Sequence, residues 1–115
     1  MAIKLNSIGY HVFAACLEPN GSNAQSLLNK VKDSSKLDLV KVDVTKPDDL
    51  IKARDFVRKT MTENELQLHA IVNNAGVLQQ NLITLEIEPT INDYEFQMNV
   101  NFYGVVRTCA VITLP

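Results

Sequence analysis

Two asparagines that end an apolar run are the residues of this chain best placed to do chemistry. Asn73 and Asn74 follow the run 68–72 and precede Ala75 and Gly76. A carboxamide withdrawn from water must find hydrogen-bond partners, and a glycine lets a ligand or a second stretch of backbone approach closely. Open α/β sheets bind ligands at the carboxyl ends of their strands. This polar tip therefore predicts a ligand site at the end of a buried strand.

A further carboxamide, Asn101, falls on the packing stripe of the last predicted helix. The stripe consists of Tyr94, Met98, Val105, Thr108 and Ile112. One interpretation is a core asparagine bonded to a neighbouring loop. However, Gly104 follows three residues later and weakens the helix there. A carboxamide beside a helix-weakening glycine predicts a local distortion that serves a site.

Length and composition limit the classes of function. The 115 residues make about one domain, with a formal net charge of -2 from 11 basic and 13 acidic residues. Basic residues cluster at most in pairs, so we expect no nucleic-acid partner. No apolar run reaches the roughly 20 residues that span a bilayer, and no secretory signal is evident. We therefore expect an intracellular chain without a membrane segment, in which Cys16 and Cys109 are buried free thiols.

The elements that must position these residues alternate along the chain. Strands are predicted at 10–17, 37–44 and 68–73, and helices at 22–33, after 45–48 and after 90–93. Gly9 ends a short first helix, Ser22 is the predicted N-cap of the next, and the last two helices begin with capping patterns. Alternation with short connections predicts a parallel sheet with crossover helices.

Three motifs together resemble the central part of the short-chain dehydrogenase/reductase family, over essentially all 115 residues. They are Asp43-Val44, the stretch 73–76 and Asn101 within 99–104. The stretches 9–17 and 42–45 are similar to the branch of retinol, 17β-hydroxysteroid and D-3-hydroxybutyrate dehydrogenases. The resemblance implies an α/β fold with a partial Rossmann-like, doubly wound parallel sheet (βαβαβα) that lacks its first and later strands. Residues 1–115 would form a single incomplete dinucleotide-binding domain.

The resemblance also implies roles for individual residues. Asp43 would bond the adenine ring of a nicotinamide cofactor, and Val44 would pack against that ring. The adenosine ribose side would be lined by Asn74, Ala75 and Gly76. Asn101 would be the catalytic asparagine, which holds a helix kink whose backbone carbonyl anchors a water in the proton relay.

The choice of cofactor depends on the end of the first predicted strand, where the family often places Asp for NAD and this chain has Cys16. A 2′-phosphate would need Arg or Lys, and neither occurs between Tyr10 and Asn29. Glu18 would repel a phosphate. The resemblance therefore favours NAD over NADP.

Two motifs of the family are absent from this sequence. The glycine-rich loop TGxxxGxG would cradle the pyrophosphate, and YxxxK with its partner Ser would perform the acid/base step. Tyr103 is followed four residues later by Arg107, but the family has no catalytic tyrosine in this helix. We therefore expect a family member cut at both ends and inactive alone. Without the central first strand, strands 10–17 and 68–73 would leave apolar edges exposed, which predicts a marginal or aggregation-prone chain.

Three interpretations follow. The leading one is a fragment of an NAD(P)-dependent oxidoreductase that interconverts a small alcohol and a carbonyl of the retinoid, steroid or hydroxy acid class. Full-length relatives of that branch are often at the endoplasmic reticulum or mitochondrial membrane. The alternative is a non-catalytic interaction module, which associates with full-length relatives or with itself through the Asn101 helix. An unrelated α/β nucleotide or phosphate binder would not explain the Asn101 spacing. No metal site is predicted, because no zinc spacing is matched by His11, Cys16, His69 and Cys109.

Overall fold

The computed structural model describes residues 1–79 and 88–113. The chain divides into two compact units, Met1–Asp43 and Val44–Pro115. The first unit contains all the strands found in the described residues, whereas the second is built on helices. That residues 1–115 act as one dinucleotide-binding domain stays a prediction.

The first unit is a β-α-β arrangement preceded by a short helix. Its elements are α1 (Ala2–Ser7), β1 (Val12–Cys16), α2 (Ser22–Leu28), a 3-10 turn (Ser34–Lys36) and β2 (Leu37–Lys41). The two strands run parallel, with Val12 opposite Leu37 and Cys16 opposite Lys41. The predicted parallel pairing is confirmed. Helix α2 is shorter than predicted, and Gly21 rather than Ser22 takes its N-cap position.

A buried asparagine fixes the start of β2. Asn6 is 2% exposed, and its Nδ2 donates to the carbonyls of Asp33 at 2.7 Å and Lys36 at 3.3 Å. Its Oδ1 accepts from the Asp33 amide at 2.9 Å. Gly9 ends α1 as predicted, with a left-handed φ of 103°. One side chain near the end of α1 thus holds the turn that leads into the second strand.

The second unit is helical. Its elements are α3 (Pro47–Glu63), α4 (Ile91–Met98), a π-helical turn (Asn99–Tyr103) and α5 (Gly104–Thr113). Helix α3 begins at the predicted proline, with Asp48 and Asp49 in its first turn, where the helix dipole favours negative charge. The predicted capping box of α4 is confirmed, since the Thr90 amide donates to the Asp93 carboxylate at 2.8 Å. Helix α3 packs against α5.

The predicted strand at 68–73 is not formed. Among the residues that the structure describes, only β1 and β2 pair, and 66–79 carry no regular secondary structure. A strand needs a neighbour to satisfy its backbone groups, and the described part of the second unit contains none. The expected burial is also wrong, because Leu68 is 44% and Val72 52% exposed.

The buried apolar core of the described residues is small. It consists of Leu37, Val40, Val42, Leu50, Ala53 and Val100. Many large apolar side chains lie on the surface, Ile91 and Leu78 among the most exposed. Marginal stability stays a prediction, which a cooperative, monomeric thermal transition would contradict. In the described ranges 1–79 and 88–113, no helix combines the length and apolar character needed to cross a membrane.

Candidate functional site

The carboxamide of Asn101 joins its helix to the residue that follows the 73–76 motif. Its Oδ1 accepts a hydrogen bond from the Val77 amide at 2.7 Å, and its Nδ2 donates to the Val77 carbonyl at 2.7 Å. Both ends of the side chain are therefore used, and the expected loop partner is confirmed. The expected burial is wrong: Asn101 is exposed, because the segment beside it is itself exposed.

The helix around Asn101 is distorted, as predicted. Residues 99–103 form a π-helical turn between α4 and α5. Such turns are rare single insertions in α-helices and occur frequently at functional sites. Gly104 follows directly, and a Cβ placed there would lie 2.8 Å from Val44 Cγ2. The glycine therefore permits close packing of the helix against Val44, a role beyond the helix weakening inferred from sequence.

Side chains of α4, the π-helical turn and α5 contact the 73–79 segment at three points. Gln97 Oε1 accepts from the Gln79 amide at 3.1 Å, and Asn101 binds Val77 as described. Asn73 Nδ2 lies 3.5 Å from Cys109 Sγ. Residues 97, 101 and 109 contact residues 79, 77 and 73 in that order, so the segment runs antiparallel to the helical elements. These contacts take the place of the ladder hydrogen bonds that a strand would have made.

Arg107 is a contributor to the site that sequence reasoning missed. Its guanidinium donates to Asn99 Oδ1 at 2.6 Å and to the Asn99 carbonyl at 3.2 Å. It also donates to the Val44 carbonyl at 3.3 Å and lies 5.9 Å from the centroid of the Tyr103 ring. The Tyr103–Arg107 pair is thus a cation–π contact. The available signal was an arginine four residues after Tyr103 and eight after Asn99, which places it near both along one helix.

The predicted cofactor-binding residues are divided between the two units. Cys16 ends β1 and is half-buried, and burial raises the pKa of its thiol while a hydrogen bond with the Glu18 backbone opposes that effect. Asp43 is half-buried shortly after β2. In the second unit, Val44 contacts Gly104, as noted above. Asn74, Ala75 and Gly76 are exposed, and a Cβ at Gly76 would lie 3.5 Å from Asn101 Oδ1.

The structure therefore brings together Gly76 with Asn101 and Val44 with the Asn101 helix. It leaves Asn74 and Ala75 exposed on the same segment. Both cysteines are free thiols, but Cys109 is exposed rather than buried as predicted. His11 Nε2 pairs with Asp38 Oδ2 at 2.6 Å, and no group of three or more possible metal ligands occurs in the described residues.

The chain combines a β-α-β unit with Asn101, which bonds the π-helical turn to Val77, directly after Asn-Asn-Ala-Gly. Together these features point to a family of nucleotide-binding α/β proteins. The sequence model described as "short chain dehydrogenase" matches residues 1–114, and the chain belongs to this family. It is 33% identical to estradiol 17-beta-dehydrogenase 2 of Rattus norvegicus over 111 residues, which cover 96% of this chain and 28% of that protein. It is 33% identical to the mitochondrial D-beta-hydroxybutyrate dehydrogenase of Bos taurus over 109 residues, covering 93% and 30%. The chain thus spans less than a third of either relative.

The fold comparison agrees with the family. The chain resembles the NADPH-bound carbonyl reductase from chicken fatty liver with a TM-score of 0.74 and 27% identity, over 88% of this chain and 38% of that one. The predicted partial Rossmann-like α/β fold is confirmed. The predicted similarity to 17β-hydroxysteroid and D-3-hydroxybutyrate dehydrogenases is also confirmed.

Proposed function

We propose that this chain provides the adenosine side and the catalytic asparagine of a nicotinamide-dependent oxidoreductase site that interconverts an alcohol and a carbonyl. The proposal rests on the Asn101 carboxamide, which is bonded at both ends to Val77. Asn101 lies within the π-helical turn, and Val77 directly follows the 73–76 motif. By resemblance, such an asparagine holds a helix kink. In that role both ends of the side chain bond Val77, and the backbone carbonyl of the turn would anchor the relay water.

The residues of the second unit fit the adenosine half of a dinucleotide. By resemblance, Val44 would pack against the adenine ring, and Asp43, the last residue of the first unit, would bond the adenine. Small side chains at Ala75 and Gly76 leave the exposed backbone open to the ribose. When bound, the nicotinamide supplies or accepts the hydride. The chain offers no glycine-rich loop for the pyrophosphate, so we expect adenosine contacts without tight binding.

We favour NAD over NADP. Glu18 would repel a 2′-phosphate, and no Lys or Arg lies between Tyr10 and Asn29 to bind one. The Cys16 side chain is neutral as a thiol and negative as a thiolate, so in neither form does it offer a 2′-phosphate a positive charge. The carbonyl reductase that the chain resembles is bound to NADPH, and that selectivity belongs to its own residues.

The proposed substrate class is supported by two relatives and by the resemblance to the retinol dehydrogenase branch. Their names specify estradiol and D-beta-hydroxybutyrate, so the proposed substrates are small alcohols or carbonyls of the steroid, retinoid or hydroxy acid type. The 115 residues contain no YxxxK pair, and Tyr103 is engaged with Arg107 instead. We therefore expect no turnover by this chain alone.

A titration followed by amide NMR tests the proposal. The isotope-labelled chain is titrated with AMP, NAD, NADP and nicotinamide mononucleotide. AMP and NAD should shift the amides of Asp43, Val44 and 74–76 without saturating below millimolar concentration, and the mononucleotide should not shift them. Asp43→Ala should remove the response, whereas Asp55→Ala, at a surface ion pair of little energetic weight, should keep it. An AMP response elsewhere, or none, would refute the proposal; micromolar NAD affinity would refute the predicted weakness.

A second candidate function is that of an interaction module. An exposed apolar surface runs along α4 and the π-helical turn and is formed by Ile91, Tyr94, Phe96, Met98, Phe102 and Tyr103. Contiguous apolar surface of this kind marks protein–protein contact sites. Co-elution of the chain with a full-length family member in size exclusion, abolished by Met98→Glu, would support this function. Elution of the chain separately from that member would argue against it.

A further inference from the structure

The Arg107 guanidinium joins two stretches of the second unit that are distant in sequence. Its acceptors are the Val44 carbonyl, 63 residues away, and two oxygens of Asn99, eight residues away. Arg107 is half-buried, so water competes only in part for these hydrogen bonds. A planar guanidinium presents several donors in a fixed geometry, which a lysine ammonium cannot reproduce.

Val44 is held by α5 from two positions one turn apart. Arg107 donates to the Val44 carbonyl. The Val44 side chain packs against Gly104, where an added Cβ would lie 2.8 Å from Val44 Cγ2 and 3.1 Å from Val44 Cβ. Residues three apart on a helix lie on the same face. The position of Val44 is therefore set by the same helix that follows Asn101.

The other end of the Arg107 contact lies in the π-helical turn. Asn99 is the first residue of that turn, and Arg107 bonds both its carbonyl and its side chain. Hydrogen bonds from a charged donor are roughly twice as strong as neutral ones. Two residues after Asn99, Asn101 makes two hydrogen bonds with the Val77 backbone. Contacts thus run without a break from Val44 through Arg107 and the π-helical turn to Val77.

We propose that Arg107 is a positioning residue, which couples the adenine-facing Val44 to the π-helical turn that carries Asn101. Its relevance to cofactor rests on the proposed function, since only there does Val44 contact adenine. The coupling itself is a property of the contacts within the second unit. Occupation of the adenine side would then stabilise the Asn101–Val77 hydrogen bonds, and loss of Arg107 would loosen both.

Amide hydrogen exchange in the full chain measures the coupling. Arg107→Met should raise the exchange rate of the Val77 amide roughly tenfold, the low end expected for lost charged hydrogen bonds. The Thr90 amide, held by Asp93 in the same unit, should change little. Arg54→Met is the matched control, because Arg54 is a half-buried helix arginine whose guanidinium bonds the adjacent Asp55 at 2.8 Å. Equal acceleration at Val77 and Thr90 would mean general destabilisation and would overturn the inference.

Two further measurements separate this inference from the proposed function. Arg107→Lys keeps the charge but loses the planar fork, so it should resemble Arg107→Met; full retention of Val77 protection would overturn the inference. AMP affinity, read from the Val44 amide, should fall roughly fivefold in Arg107→Met, as for two weakly linked sites. If AMP binds Val44 in both proteins equally, the coupling is wrong and the proposed function stands. If AMP does not bind there even in the unaltered chain, the proposed function fails, and Val77 exchange still decides the coupling.

Discussion

Two asparagines in different units make nearly the same hydrogen bonds under opposite conditions. Asn6 and Asn101 each accept a backbone N–H at Oδ1 and donate to a carbonyl from Nδ2. Asn6 is 2% exposed, in a helix that contacts β1, whereas Asn101 is exposed and lies in a π-helical turn. The same chemistry therefore serves a structural clamp in one unit and an open site in the other.

The difference teaches that burial, not the hydrogen-bond pattern, separates the two roles. A buried carboxamide is required for stability, because the groups it satisfies cannot turn to water. An exposed carboxamide with the same partners could be replaced by water, so stability alone does not explain its placement. Its position beside the 73–76 motif does, which agrees with the proposed role of Asn101.

The largest expected effect is that of Asn6→Ala. It removes three hydrogen bonds and leaves the backbone groups of Asp33 without a buried partner, so the free energy of unfolding should fall by about 2–3 kcal/mol. Urea denaturation with a first-unit probe measures the change. Asn29→Ala, at an exposed position after α2, should change stability by less than about 0.5 kcal/mol. Equal effects of the two substitutions would show that burial of Asn6 does not matter.

A smaller effect is expected of Asn101→Ala. Water can bind the exposed Val77 backbone in place of the lost carboxamide, so the free energy of unfolding should fall by only about 1 kcal/mol. Amide exchange at Val77 should nevertheless become fast, because the amide loses its acceptor, Asn101 Oδ1. A loss of stability as large as that of Asn6→Ala would break the comparison and make Asn101 a structural clamp as well.

The sequence predicted contacts between residues close along the chain better than contacts between distant residues. The capping box at Thr90 joins residues three apart and was predicted, as was the start of α3 at Pro47. The distortion at Asn101 was predictable because a carboxamide interrupts an apolar stripe. The Asn6–Asp33 and Arg107–Val44 contacts were missed, since their partners lie 27 and 63 residues apart; the Arg107–Asn99 contact spans only eight residues and left a signal in the sequence.

The predicted strand at 68–73 fails for a related reason. Its apolar composition indicates a segment suited to be covered, but a strand also requires a neighbour, which composition cannot specify. In the described part of the second unit, Asn73 contacts Cys109, and side chains of Gln97 and Asn101 bind Gln79 and Val77 just beyond the predicted strand. The ligand site predicted at the polar tip 73–76 therefore stays a prediction, and the buried strand predicted to lead to it is wrong.

The smallest effect is expected of Ser35→Ala, in the turn that Asn6 binds. The Asp33 amide donates to Asn6 Oδ1, and the Asp33 carboxylate accepts from Ser35 Oγ at 2.5 Å. The Ser35 hydroxyl is the main cause that lowers the pKa of Asp33 from its usual range, with smaller help from the Ser35 amide, Lys36 and His11. The charged form is thus favoured in the folded state, which stabilises the turn above the ordinary pKa of an aspartate. This contribution is lost as pH falls through the lowered pKa.

Ser35→Ala should raise the pKa of Asp33 towards its ordinary value, and with it the pH below which the carboxylate no longer stabilises the turn. Carbon NMR of the Asp33 carboxyl against pH measures the first change, and exchange of the Asp33 amide measures the second. Ser34→Ala, at the exposed neighbouring position, is the control and should leave both unchanged. Because Asn6 holds the backbone independently of the carboxylate, the turn should persist in Ser35→Ala at neutral pH. If it does not, the carboxylate rather than the buried carboxamide maintains the turn, and the contrast with Asn101 rests on charge instead of burial.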